Sequence, residues 1–460
     1  MEYVANKAEI YSELGALINH ETKSMNRHPA VTMFAVWGLC IVAFGLLPFQ
    51  LLERELTLQG AVIMVVFVAA YIVGTLLVPA RKHTALIYTP IRIDASNAEA
   101  WLMVASGLAT VFFVLDASDK NLFDLAVAYE LRSVTADALL KGETSSSSIW
   151  FQLAFLIYPA GYVYTAVHGL YAHKLQTWKI AIFGFLPILL ATVGMGGRMP
   201  IFYAVLVAWI VFKERKKYVT FYPQHPKISI RRKWFVRLIW FFVLMSLFQY
   251  FAAVFMVRAA VVGGSIEMFQ VAEQRWGVGF RGPMSGAIFL LFGEDFTYLI
   301  FIFIWYLVQG VVMSNVLFTT YEGPLQMGTY GLDLMSAIMR RIDPQRVAEG
   351  FDSLLMLGTY GFFPSAWGSL YVDFGLFSLL ICIIWGIFSA LCYRRVVVQR
   401  RTDWLLVGPF ASIGILFSII NTPLGFTNGF VTHAWLLFAF LLLKRQHAHK
   451  INPRNELFHG

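Results

Sequence analysis

Residues 366–392 read AWGSLYVDFGLFSLLICIIWGIFSALC, an apolar run whose only charged residue is Asp373. A run of about 20 apolar residues is long enough to cross a bilayer as a helix. The whole chain has the same character, because 58% of its 460 residues are hydrophobic and 14% are charged. Soluble domains carry about 25% charged residues. The sequence therefore predicts an all-α, polytopic integral membrane protein.

Further apolar runs of this kind occur along the chain and together define a predicted transmembrane domain, residues 31–443. A shorter apolar segment, 283–293, ends at the polar sequence Gly293-Glu294-Asp295, which would need a protected pocket or a turn at membrane depth. Counting this segment gives about 12 transmembrane helices. The other predicted spans are 31–51, 59–80, 99–116, 149–172, 178–195, 200–213, 235–257, 298–318, 366–392, 404–420 and 430–443.

The basic residues predict the orientation of these helices, since cytoplasmic segments of membrane proteins are enriched in Lys and Arg. With twelve crossings and both termini in the cytoplasm, 25 of the 36 Lys and Arg residues lie on the cytoplasmic side. The net charge of +9 is then explained by topology and by attraction to membrane lipids, and no nucleic-acid partner is expected. The predicted cytoplasmic parts include an amphipathic N-terminal segment, 1–30, a basic loop, 213–237, and a tail, 444–460.

Two predicted outer loops, 117–148 and 319–365, are long for connections between membrane helices, and a third, 258–282, is of moderate length. Long loops on a compact scaffold often carry function. Nine of the eleven basic residues that remain outside are arginines. The planar guanidinium group binds phosphate in a bidentate manner, whereas lysine acts as a point charge. We therefore expect an anion-binding site at the outer face, although helix-end pairing and contacts with headgroups explain part of this bias.

Arg198 is the most specific candidate, in the sequence Gly194-Met195-Gly196-Gly197-Arg198-Met199-Pro200 between two predicted spans. Pro200 suits the first turn of a helix. A glycine-containing turn, an arginine and a helix N-terminus together form a natural phosphate site. The alternative is a plain tight turn whose arginine meets lipid headgroups.

Three further arginines are candidates. Arg275 and Arg281 lie in a loop rich in glycine and aromatic residues, which could carry two cations towards a headgroup. Arg132 lies in the loop before the fourth span, where a salt bridge with Glu130 is the alternative.

Asp373 and Glu322 are the candidate acidic residues. A carboxylate inside a membrane helix is costly and is a functional candidate by default; pairing with an arginine or with hydroxyl groups is the structural alternative for Asp373. Glu322 lies in the outer loop 319–365. No His, Cys, Asp or Glu residues have metal-ligand spacing, and no cofactor is predicted.

Several of these motifs, taken in order, resemble the Wzy-type oligosaccharide repeat-unit polymerases, which include O-antigen and enterobacterial common antigen polymerases. Gly196-Gly197-Arg198 precedes an apolar helix, Arg132 lies in the long loop before the fourth span, and Arg275 starts an Arg-x10-Gly pattern that ends at Gly286. The resemblance covers roughly residues 100–430.

The late part of the chain adds Gly361-Phe362-Phe363-Pro364-Ser365, then Gly368-Ser369, then Asp373-Phe374-Gly375 at the start of a long apolar helix. Some members of the family carry a second Arg-x10-Gly pattern in the late outer loop. The arginines of this loop, Arg340, Arg341 and Arg346, do not show it.

The resemblance implies a GT-C-like glycosyltransferase in the bacterial inner membrane. Such an enzyme transfers a growing glycan from undecaprenyl pyrophosphate to a new lipid-linked repeat unit at the periplasmic face, in O-antigen, capsule or exopolysaccharide biosynthesis. A chain-length-determining co-polymerase is the expected partner. Arg132, Arg198, Arg275 and Arg281 would bind the pyrophosphate, and Asp373 or Glu322 would act as the general base, without a metal.

Two alternatives remain open. An O-antigen ligase uses the same donor, but such ligases tend to have an essential histidine in the late outer loop, and residues 319–365 contain none. A lipid-linked oligosaccharide flippase or another transporter would be expected to show related halves with broken helices at matching places.

Overall fold

The computed structural model describes residues 28–46, 49–52, 55–79, 92–117, 148–194, 197–220, 230–280, 283–359, 361–399 and 401–446. This part of the chain is mostly helical, which confirms the predicted helical class. Its four strands have three residues each and form two antiparallel pairs. The predicted segment 1–30 lies almost wholly outside the described residues, as do most of the predicted loop 117–148 and the tail beyond residue 446.

The first half of the described chain contains seven helices and two strands. They are α1 (Pro29–Leu46), β1 (Phe49–Leu51), α2 (Leu58–Leu76), β2 (Arg92–Asp94), α3 (Ser96–Ala117), α4 (Ile149–Ile157), α5 (Ala160–Tyr171), α6 (Thr177–Gly194, with a π-helical stretch at Ile180–Phe185) and α7 (Met199–Thr220).

The second half contains nine helices and the two partner strands. They are α8 (Ile230–Val262), α9 (Ser265–Trp276), β3 (Val278–Phe280), α10 (Pro283–Thr320), α11 (Asp333–Ile342), α12 (Pro344–Met356), α13 (Ser365–Phe374), α14 (Ser378–Tyr393), α15 (Gly408–Leu416), α16 (Gly429–Leu442) and β4 (Lys444–Gln446).

Six helical segments within the described residues are long and apolar enough to cross a membrane. A seventh is added if Phe248–Val262 and Ser265–Gln274 form one bent span. The protein therefore has the helices of a polytopic membrane protein, while the number of twelve crossings stays a prediction. The six are Leu58–Leu76, Ser96–Ala117, Ile149–Tyr171, Thr177–Gly194, Ser285–Thr320 and Ser365–Val398, and three shorter apolar helices are Pro29–Gly45, Asp403–Ile419 and Gly429–Leu442.

The predicted spans 283–293 and 298–318 belong to one helix, α10, that is broken at Gly293. The backbone there is not helical, with φ 79° and ψ 179°, a conformation that glycine adopts most readily. The Ser265 hydroxyl donates to Asp295 Oδ1 at 2.7 Å, so the polar end of the short segment is tied to the start of α9. The backbone is therefore broken directly beside Glu294 and Asp295, where a protected pocket or a turn was expected.

The predicted outer loops 258–282 and 319–365 contain regular structure that hydropathy did not predict. The chain bends by 78° between α8 and α9 at Gly263 and Gly264, which have φ of 120° and 143°. After α9, β3 pairs with β1. The second loop contains α11 and α12. Such short amphipathic helices alternate polar and apolar faces, so their mean hydropathy does not distinguish them from loops.

Contacts at one end of the bundle join segments that the charge pattern assigns to the cytoplasm. Strand β2 pairs with β4, and Arg445 forms an ion pair with Asp403 at 2.7 Å. The Tyr171 hydroxyl donates to the Thr402 carbonyl oxygen at 2.8 Å. These segments come from four separate places in the chain. The charge pattern also assigns them to one side of the membrane, and the topology itself stays a prediction.

Candidate anion-binding site

Arg198 lies immediately before α7 and is held between helices α8 and α10. Its Nη2 donates to the Tyr306 hydroxyl at 3.1 Å, and its guanidinium carbon lies 3.7 Å from the centre of the Phe255 ring. The side chain is only 9% exposed. Cations over aromatic faces are stabilised by the ring quadrupole, most strongly when water is excluded. The predicted helix start is present at Met199, residues 195 and 196 of the predicted turn lie outside the described residues, and Arg198 is packed inside the protein rather than extended towards headgroups.

A second arginine, Arg258, lies beside this position on α8. Both Arg198 and Arg258 are near enough to the Tyr250 hydroxyl to interact with it electrostatically, and that hydroxyl donates to the Gly197 carbonyl oxygen at 3.4 Å. The sequence identified Arg258 only as one of nine outer arginines. Its helical spacing from Tyr250 and Phe255 is a signal that could have indicated it.

This group of residues suits an anion with several oxygen atoms. Two guanidinium groups offer paired donors, which bind phosphate oxygens in a bidentate manner. The first turn of α7, a helix of 22 residues, adds the positive end of a helix dipole. The Tyr306 hydroxyl already contacts Arg198 and can fix the orientation of its guanidinium group.

Arg275 lies at the end of α9, near the part of α10 that carries Tyr306. Its neighbour Trp276 stacks on Trp305 at 6.0 Å between ring centres, and Trp305 directly precedes Tyr306. The backbone of Arg275 therefore lies beside the part of α10 that holds Arg198. The Arg275 side chain lies outside the described residues, as do Arg132 and Arg281 entirely, so their predicted roles stay predictions.

Asp373 lies at the end of α13 and is 2% exposed. Its Oδ1 accepts the Tyr330 amide hydrogen at 3.0 Å and its Oδ2 accepts the Gly331 amide hydrogen at 2.8 Å. The partners are thus backbone amides, and not the arginine or hydroxyl groups of the structural alternative. A side chain at Gly331 would place its Cβ 2.7 Å from Asp373 Oδ2. The carboxylate thus anchors a turn of the late outer loop.

The loop after α10 is tied to the same helix end through its backbone. Gln326 and Met327 donate their amide hydrogens to the carbonyl oxygens of Val372 and Asp373. Nearby, burial raises the pKa of Tyr321, the hydrogen bond from Gln326 opposes this shift, and the Asp373 charge adds to it. The Tyr321 hydroxyl therefore stays protonated at neutral pH and donates to the Pro324 carbonyl oxygen at 2.7 Å.

Glu322 lies in this loop and is exposed. Asp373, in contrast, is enclosed by the backbone of the loop. Arg198 is enclosed by aromatic rings. A ring contact between Phe363 and Tyr306, at 6.2 Å, connects the start of α13 to the Arg198 site. Asp373 lies about two helical turns after the start of α13. The structure therefore places the predicted acid and the predicted cation on connected elements, in separate environments.

Within the described residues, no group of three or more His, Cys, Asp or Glu side chains could hold a metal ion. Comparison with protein-family models, with curated proteins and with solved structures gives no match to the chain.

Proposed function

We propose that this protein is a glycosyltransferase that polymerises oligosaccharide repeat units linked to undecaprenyl pyrophosphate, at the periplasmic face of the bacterial inner membrane. The observation that carries the proposal is the buried Arg198 at the start of α7, oriented by Tyr306 and accompanied by Arg258. A chain-length-determining co-polymerase would be its partner. The resemblance to Wzy-type polymerases and the apolar helices of the chain support the same assignment.

The chemistry of this reaction explains why such a site would be useful. The acceptor hydroxyl oxygen forms a bond to the anomeric carbon of the donor sugar, and the bond from that carbon to the pyrophosphate oxygen breaks. Negative charge therefore develops on the pyrophosphate, and preorganised cationic donors stabilise it. The hydroxyl proton must pass to a base. Asp373 and Glu322 are the proposed candidates for that role.

The experiment replaces Arg198 in cells that make the glycan and lack their own copy of the gene. We expect Arg198→Ala to lower polymerisation by about 10²-fold or more, the loss typical of removing an electrostatic stabiliser of the transition state. Arg198→Lys should recover only part of the activity, because lysine keeps the charge but loses the bidentate donors. Lys213→Ala, which removes a cation near the other end of α7, is the matched control and should leave the glycan unchanged.

The glycan species at the cell surface distinguish the alternatives, provided that each variant reaches normal levels in the membrane. Loss of long chains with retention of single repeats supports the polymerase. Loss of every outward-facing repeat supports a flippase, and accumulation of long chains on the lipid carrier supports a ligase. An unchanged glycan pattern in Arg198→Ala rejects all three.

A further inference from the structure

Helix α11 (Asp333–Ile342) carries an apolar stripe whose second half is left uncovered by the described part of the chain. Leu334, Ile338 and Ile342 are spaced four residues apart, so they lie on one face of the helix. Ile338 is 41% exposed and Ile342 is 71% exposed. Two adjacent arginines, Arg340 and Arg341, end the helix.

The opposite face of α11 packs on helix α12. The Arg340 guanidinium carbon lies 5.2 Å from the centre of the Phe351 ring, and Phe351 packs against the buried side chains of Leu317 and Leu354. Arg340 follows Ile338 by two residues, which corresponds to a rotation of about 200° around a helix. The stripe therefore faces away from α12.

Arg341 places the stripe at the end of two candidate membrane spans. Its Nη2 donates to Gln152 Oε1 at 3.0 Å, and Gln152 lies in the first turn of the span Ile149–Tyr171. Ser148 caps the start of this helix and also donates to Asp116, near the end of the span Ser96–Ala117. The ends of both spans and the Arg341 guanidinium group therefore lie at about the same depth relative to the membrane.

The surface next to this contact is the one expected at a membrane boundary. Ile149 and Trp150 in the first turn of α4 are both exposed, and tryptophan is enriched where membrane helices meet the headgroups. Amphipathic helices with arginines beside their apolar face bind in the same region, with the apolar side chains among the acyl chains and the cations near the phosphates.

We propose that α11 lies at the interface between the outer leaflet of the protein's own membrane and water, with Ile338 and Ile342 among the acyl chains of phospholipids that surround α3 and α4. The phospholipid is favoured as occupant over a second copy of the chain because the stripe continues the exposed apolar surface of two spans and is flanked by a cation at the level of the lipid phosphates. The late outer loop is then held on the membrane surface. This inference does not depend on the proposed enzyme activity.

The test uses single labelled cysteines in the full-length protein, since the three native cysteines are buried. Ile342→Cys and Ile338→Cys carry an environment-sensitive fluorophore, and the protein is reconstituted in vesicles of phosphatidylethanolamine and phosphatidylglycerol. Gln345→Cys, at an exposed polar position of α12, is the control. We expect spin-labelled acyl chains to quench the probes at 338 and 342 at least about twofold more than the probe at 345, because only the stripe is in the hydrocarbon boundary.

Quenching at 338 and 342 that is no stronger than at 345 would overturn the proposal, because the stripe would then lie no closer to the acyl chains than an exposed polar position. Blue-shifted emission at 342 without quenching by lipid would also overturn it and would identify a protein partner as the occupant. Ile338→Cys keeps the test informative if the probe at position 342 disturbs folding.

Discussion

Asp373 is the residue whose structural and chemical roles can be separated by a single substitution. Its two carboxylate oxygens accept two buried backbone amide hydrogens. In Asp373→Asn one oxygen becomes an NH2 group, which cannot accept the second hydrogen. An unsatisfied buried donor costs about 1–3 kcal/mol. We expect the free energy of unfolding in detergent to fall by that amount, and cleavage of the 321–332 loop by protease to increase.

Asp352→Asn, at an exposed position of α12, is the control and should leave both measurements unchanged. If Asp373→Asn abolishes glycan polymerisation while stability and loop protection stay at their original values, the carboxylate acts in the reaction and not as an anchor. If all three measurements stay unchanged, neither role is correct.

The sequence singled out candidate side chains, but it did not indicate their partners. Arg198 was identified because a glycine turn, an arginine and a helix start were contiguous. Tyr306 and Phe255 are about 108 and 57 positions away in the chain, and no local pattern connects them to Arg198. Asp373 was identified by its position in an apolar run, but its partners are backbone amides of Tyr330 and Gly331. Backbone donors carry no sequence signal beyond the need for glycine at one position.

At the scale of helices, the close packing of α2 against α14 depends on two glycines. A Cβ at Gly74 would lie 2.1 Å from the Ile383 carbonyl oxygen, and a Cβ at Gly386 would lie 2.1 Å from the Tyr71 carbonyl oxygen. Small residues allow membrane helices to approach closely enough for dispersion contacts along their length. These helices must move apart to accept any side chain.

We therefore expect Gly386→Ala to lower the midpoint temperature of thermal unfolding in detergent. Forcing a methyl group into a packed interface should decrease the free energy of unfolding by about 1–3 kcal/mol. Gly107→Ala in α3 is the matched control, because a Cβ there meets nothing within 4 Å. That change should be neutral or stabilising by about 0.5–1 kcal/mol, since alanine favours the helix. Equal midpoints for the two variants would show that α2 and α14 do not pack as described.

At the scale of the whole molecule, the helical membrane class was predictable and the detailed architecture was not. Apolar runs identify helices because a bilayer requires every backbone group to be bonded internally. Hydropathy treated α9, α11 and α12 as loops because their faces alternate in polarity. It divided α10 into two segments because Glu294 and Asp295 interrupt its apolar sequence, and the helix is kinked at the neighbouring Gly293.

The orientation of the molecule is the remaining whole-chain prediction, and it can be measured by chemical labelling in intact cells. Contacts group the segments around β2, Tyr171, Asp403 and β4 at one end. Because these segments are basic, the positive-inside rule assigns them to the cytoplasm. We expect Glu349→Cys, exposed on α12, to react with a membrane-impermeant maleimide in cells whose outer membrane alone is permeable.

Lys174→Cys is the matched position at the basic end, where the residue is also exposed. It should react only after the inner membrane is opened, since a charged reagent cannot cross the hydrocarbon core. The native cysteines are buried, so the unsubstituted protein gives the background. Labelling of Lys174→Cys in unopened cells, with protection of Glu349→Cys, would invert the topology and place the Arg198 site on the side away from the proposed lipid-linked substrate. Labelling of both positions in unopened cells would require an even number of crossings between them, whereas the prediction has five in this part of the chain.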